Sequence, residues 1–138
     1  MTDKSIDNGI KLGTIKRGEK VLPLIEKIKA KGNLTQELVG FLKGLPPMIK
    51  QNGLGQTIAF IMCKKGGYKE ILDIYNKVLL PENYNGTLIN KILDSEIDEY
   101  LYMQNEAIEY AGWMKKFAVA FFEPDKNNNK ENEHTSAE

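Results

Sequence analysis

Apolar residues recur at intervals of three and four along nearly the whole chain, and no stretch alternates apolar with polar as a half-buried strand would. This spacing gathers each apolar set on one face of a helix, which predicts an all-α fold: a bundle of about five to six helices around one core. With 138 residues, the chain has the size of one domain. Residues 1–122 are expected to form it.

Ile6, Ile10, Val21, Leu24, Ile25 and Ile28 fit one face of a first helix, weakened early by Gly9, Gly13 and Gly18. Pro23 lies inside that pattern and is expected to kink the helix or to open a new one. In the second helix, Leu34, Leu38, Phe41, Leu42 and Leu45 share a face. Asn33 is expected to cap it with Gln36 reaching back, and Pro46-Pro47 to interrupt it. Met48 to Gln51 then reads as a short helical turn, closed by a left-handed residue at Asn52-Gly53.

Leu54, Ile58, Ile61 and Met62 make the third stripe, which stops at Gly66-Gly67, and Tyr68, Ile71, Leu72, Tyr75 and Leu79 the fourth, which stops at Pro81. Leu88, Ile89, Ile92 and Leu93 suggest a short fifth. The last helix is the longest, about seven turns: Ser95 with Asp98 reads as a capping box, followed by Ile97, Leu101, Ile108, Ala111, Met114, Ala118 and Phe121. Beyond it, residues 123–138 hold almost nothing apolar to bury and read as a disordered acidic tail.

Chemistry is poorly provided for. The single histidine, His134, falls in that tail, where nothing would hold it in a working geometry, and Cys63 is the single cysteine, so neither histidine catalysis nor a structural zinc site is expected. Asp94, Asp98, Glu99, Glu106 and Glu109 could be combined into a metal site, but acids early in a helix already complement its dipole. Gly53-Leu54-Gly55-Gln56-Thr57 lacks the Lys-Ser/Thr ending of a phosphate-binding loop and follows no strand. No cofactor, metal or catalytic residue is expected. Cys63 fits a reducing compartment, and the absence of a long apolar run or an export signal in the sequence points to the cytoplasm.

The overall charge of zero hides a division. Residues 11–31 carry seven bases and two acids, and residues 41–80 six bases and two acids; residues 82–110 reverse this with seven acids and one base. Such segments are either ordinary solvated faces or a basic surface for a polyanion beside an acidic one for a protein. On the basic side, Lys50, Gln51, Asn52 and Gly53 precede a helix whose free amides could hold a phosphate, with Gln56 one turn in. Lys64 and Lys65 follow at that helix's end, and Lys16, Arg17 and Lys20 form a further cluster suited to a phosphate backbone. Eighteen lysines and one arginine provide little for bidentate base reading, so any binding should ignore sequence. Trp113, beside Lys115 and Lys116, reads as a core or interface anchor rather than a stacking residue.

The stretch Leu45 to Phe60, LPPMIKQNGLGQTIAF, resembles the signature of the small helical subunit of the Cmr complex, the type III-B CRISPR RNA-guided effector. Tyr100 to Ala118 resembles the same family in its spacing of tyrosine, Glu106-Ala107, Trp113 and Lys115-Lys116-Phe117-Ala118. On this resemblance Leu45, Pro46, Asn52, Gly53, Gly55, Gln56 and Trp113 are family positions. It implies a non-catalytic subunit that stacks in several copies beside the backbone and large subunits and lies along guide and target RNA, in antiviral defence. The alternative from the residues alone is a helical adaptor that binds only protein.

Overall fold

The computed structural model describes residues 12–124. The readings that involve Ile6, Gly9, Ile10, His134 and the acidic tail beyond Pro124 lie outside the described residues. Six helices follow one another: α1 (Gly13–Ala30), α2 (Gln36–Asn52), α3 (Leu54–Met62), α4 (Gly67–Leu79), α5 (Leu88–Asp94) and α6 (Ile97–Phe121). Among the described residues there is no strand, so the all-α expectation and its helix count hold.

α6 is the post around which the others are arranged. It packs chiefly against α1 and α2, with smaller contacts from α3 and from α4, whose Tyr75 meets it at Ala107, while α5 packs on α3 and α4. Its buried face contains Ala107, Ala111 and Ala118, and side chains this small let neighbouring backbones approach closely. Val21, Ile25 and Ile28 of α1 and Leu38, Leu42, Leu45 and Ile49 of α2 fill the space around them, together with Leu54, Ile58, Ile61, Ile71 and Leu88. α1 runs parallel to α6, as the pairs Arg17–Glu106 and Lys29–Glu123 show.

The expected interruption at Pro46-Pro47 needs correction, as does the opening of a new helix at Pro23. α1 runs unbroken through Pro23, and α2 through Pro46 and Pro47. An interior proline costs about 3 kcal/mol or more in an isolated helix, yet Leu42, Leu45 and Ile49 lock both halves of α2 into one core, and tertiary packing overrides local propensity. Pro23 and Pro47 also face solvent, where water can serve the carbonyls that lose their donors.

The expected caps move as well. Thr35, not Asn33, caps α2, its Oγ1 accepting from the Leu38 amide at 3.1 Å. Asn33 instead donates from Nδ2 to Glu70 of α4. Ser95 does not start α6; its hydroxyl donates to the Ile92 carbonyl at 2.7 Å and closes α5. The first turns of α6 are also rotated from the predicted register: Met103, Ala107, Tyr110 and Ala111 face the core, whereas Ile97 and Leu101 are exposed, as are Leu93 and Met62.

Tyr75 is fully buried on α4, and its hydroxyl donates to the Ala107 carbonyl of α6 at 2.8 Å. Burial pushes the phenol far above its ordinary range, so it stays a neutral donor at any working pH. Tyr75→Phe should lower unfolding stability by about 1 kcal/mol, read as a shift in the urea midpoint with an unchanged slope.

Candidate nucleic-acid interface

The geometry of the α2–α3 junction decides what the Lys50 to Gln56 segment can do. Gly53 turns the chain with φ of +86° and ψ of 159°, a positive-φ region distinct from the left-handed helical one that was expected and essentially restricted to glycine. The turn delivers the first amides of α3 to α6. Gln104 Oε1 accepts from the Leu54 amide at 2.9 Å, and the Tyr100 hydroxyl accepts from the Gly55 amide at 3.3 Å. Thr57 Oγ1 donates back to the Gly53 carbonyl at 2.9 Å.

The expectation that these amides hold a phosphate is therefore corrected, since two of them are already satisfied by α6 side chains. Lys50, Gln51, Asn52 and Gln56 surround the junction and are all exposed.

A broader surface begins there. From Leu38 to Lys69 the chain contains no acid, and it places Lys43, Lys50, Lys64, Lys65 and Lys69 in solvent. Among the described residues none of these five pairs with a carboxylate. On the solvent face of α3, Gln56, Ala59, Phe60 and Cys63 are exposed together. Phe60 stacks on Phe41 with centroids 6.0 Å apart and planes 19° apart, and Phe41 is held in turn by Tyr68 at 4.9 Å. Lys64 Nζ lies over the Phe60 ring at 4.9 Å from its centroid and 6.0 Å from that of Tyr68. The Tyr68 hydroxyl reaches Glu37 at 3.4 Å; burial and the Glu37 charge both raise its pKa.

The sequence model of the family described as CRISPR-associated protein (Cas_Cmr5) matches residues 14–121. The chain belongs to this family. The CRISPR system Cmr subunit Cmr5 of Thermotoga maritima is 30% identical over 89 residues, covering 62% of this chain and 67% of that protein. A solved Cmr5 family protein from Thermus thermophilus superposes with a TM-score of 0.70 at 26% identity, covering 82% of this chain and 100% of that one. The resemblance to the Cmr small subunit, read from two stretches of sequence, is thus established.

Those two stretches meet in space. Tyr100 and Gln104 from the second secure Leu54 and Gly55 of the first, and a Cβ on Gly53 would lie 2.9 Å from the Tyr100 hydroxyl. Gly53 and Gly55 in this Cas_Cmr5 chain thus build the α3–α6 junction, while the neighbouring Lys50 and Gln56 remain open to solvent. Sequence reading missed Tyr100 and Gln104 as caps, because only the fold brings residues 45 to 50 positions apart together.

The Lys16, Arg17, Lys20 cluster divides. Arg17 forms a bidentate pair with Glu106, Nε to Oε1 at 3.1 Å and Nη2 to Oε2 at 2.7 Å, with Glu109 at 3.9 Å. The hydrogen bond to Glu106, with the two carboxylate charges, raises its pKa despite some desolvation. Arg17 is committed to Glu106 of α6, while Lys16 and Lys20 are exposed.

Trp113 sits against buried Gly18, where a Cβ would meet the indole at 3.0 Å, and its Nε1 donates to Thr14 Oγ1 at 3.2 Å. A side chain at position 18 would require the ring to give by a few tenths of an ångström. The acids of α6 are likewise occupied in part: Glu106 and Glu109 with Arg17, and Glu99 with Lys91 at 2.7 Å. Among the described residues no cluster of His, Cys, Asp or Glu could hold a metal ion, and no helix is long and apolar enough to cross a membrane.

At the α5–α6 corner the surface has the opposite character. Leu93 and Ile97 are 76% and 67% exposed, Leu101 is exposed beside them in sequence, and Asp94, Glu96 and Asp98 lie in the same segment.

Proposed function

We propose that the chain is a non-catalytic small subunit of a type III-B CRISPR (Cmr) effector, acting in the cytoplasm in antiviral defence. It stacks in several copies beside the backbone and large subunits and contacts the backbone of guide or target RNA without reading sequence. The observation that carries the RNA part is the acid-free run from Leu38 to Lys69 with its five exposed lysines, none paired to a carboxylate among the described residues. Lysines free of carboxylate partners attract a polyanion and release its counterions. The exposed apolar and acidic corner of α5 and α6 supports the protein-facing part, because apolar patches rimmed by charge mark docking surfaces.

Affinity purification of the tagged full chain from cells carrying the effector genes tests this reading. Guide RNA and the other Cmr subunits should co-elute, with the RNA crosslinking to this chain. Co-elution of the subunits with no crosslink to RNA would favour the protein-only adaptor, and elution of the chain alone would defeat both.

A further inference from the structure

We propose that Phe60, with Lys64, forms a base-stacking platform for an unpaired nucleic-acid strand. This inference rests on the RNA-contact reading above and deepens it by naming single-stranded rather than duplex nucleic acid as the ligand. Phe60 is 41% exposed, while Ile58 and Ile61, on the other side of the same short helix, are fully buried. The ring is therefore an aromatic face presented outward, not a misplaced core residue. Its neighbours on that side, Ala59 and Cys63, are small and exposed.

The ring is supported from beneath by other aromatic side chains. Phe41 lies nearly parallel to Phe60, and Tyr68 braces Phe41 while its hydroxyl is held by Glu37. A base could thus extend an existing aromatic stack without ordering a new one, and the stack accepts any base because each has a π-face. Lys64 is placed to supply the second half of such a site. Its ammonium rests over the Phe60 ring and among the described residues has no carboxylate partner, so a phosphate can draw it from a cation–π contact into an ion pair. Lys65 adds a second exposed charge next to it. Bases inside a duplex have their faces covered by their neighbours, so only an unpaired strand can use the ring.

The test compares a short oligouridine with an abasic strand carrying the same number of phosphates, each titrated with the full chain. Phe60→Leu should weaken oligouridine binding about fivefold or more, the lower end of what stacking on one aromatic contributes, and leave the abasic strand unaffected. Lys64→Gln should weaken both and reduce the dependence of log K on log salt by about 0.7. Phe60→Trp keeps an aromatic face and adds a reporter; its fluorescence should be quenched by oligouridine and not by the abasic strand, which reads the contact even if Phe60→Leu fails to fold.

Equal binding of both strands by wild type, with no effect of Phe60→Leu and no selective quenching, would overturn the platform while leaving the lysine surface standing. Salt-independent or absent binding of both strands would remove the RNA reading and the platform with it. Loss of subunit association in Phe60→Leu with unchanged oligouridine affinity would assign the ring to a protein contact and overturn the proposal.

Discussion

Gly53→Val should lower the melting temperature by about 10 °C or more, the largest stability loss expected from a single change near the candidate interface. Two effects add. A β-branched residue held at φ of +86° and ψ of 159° carries about 1–3 kcal/mol of backbone strain. Its Cβ would also lie 2.9 Å from the Tyr100 hydroxyl, which must shift and weaken its bond to the Gly55 amide, at about 1 kcal/mol more. For a chain of this length each kcal/mol corresponds to roughly 3–5 °C.

Pairing the change with Tyr100→Ala separates the two effects. Removing the ring relieves the collision but not the strained backbone, and it also strips the acceptor from the Gly55 amide. The double variant should therefore stay well below wild type. A Gly53→Val protein melting within a degree of wild type would show that the junction is not held as described.

Reversing Lys50, Lys64 and Lys65 to glutamate should weaken binding of single-stranded RNA about a hundredfold, taking about 1 kcal/mol for each lost contact near a water-exposed charge. All three side chains are exposed and lie on the acid-free run, so the substitutions disturb no core packing. The melting temperature should change little. The contrast with Arg17 is instructive: that side chain is tied to Glu106 on α6, so its removal should act on stability before it acts on RNA.

Much of the fold was legible in the sequence because a helix buries one stripe, and stripes are local patterns. The stripes of α2, α3 and α4 reappear in the core with few changes. What was not legible depended on partners far along the chain. Pro46 and Pro47 read as breakers because the packing of Leu45 and Ile49 that carries α2 through them is tertiary. Asn33 and Ser95 have the side chains of N-caps, but Glu70 and the Ile92 carbonyl claim them. The register of early α6 was misjudged because Ile97 and Leu101 are apolar yet lie outside the core, consistent with a surface that docks another protein.

The site divides along the same line. That residues 41–80 are basic was visible from composition, and the two family stretches were visible as motifs. Arg17 was grouped with its lysine neighbours because Glu106, 89 positions away, is invisible to any local reading. The free amides expected ahead of Gln56 were closed by Tyr100 and Gln104 for the same reason.

The central claim is that exposed lysines between Leu38 and Lys69 form a passive track for an RNA strand. A titration of the full chain with single-stranded RNA across a series of salt concentrations, for wild type and for the variant with Lys50, Lys64 and Lys65 reversed, tests it most directly. The account predicts that log K falls linearly with log salt for wild type and that the variant's slope is shallower by about two, at roughly 0.7 per phosphate contact. Identical slopes for the two proteins would contradict it.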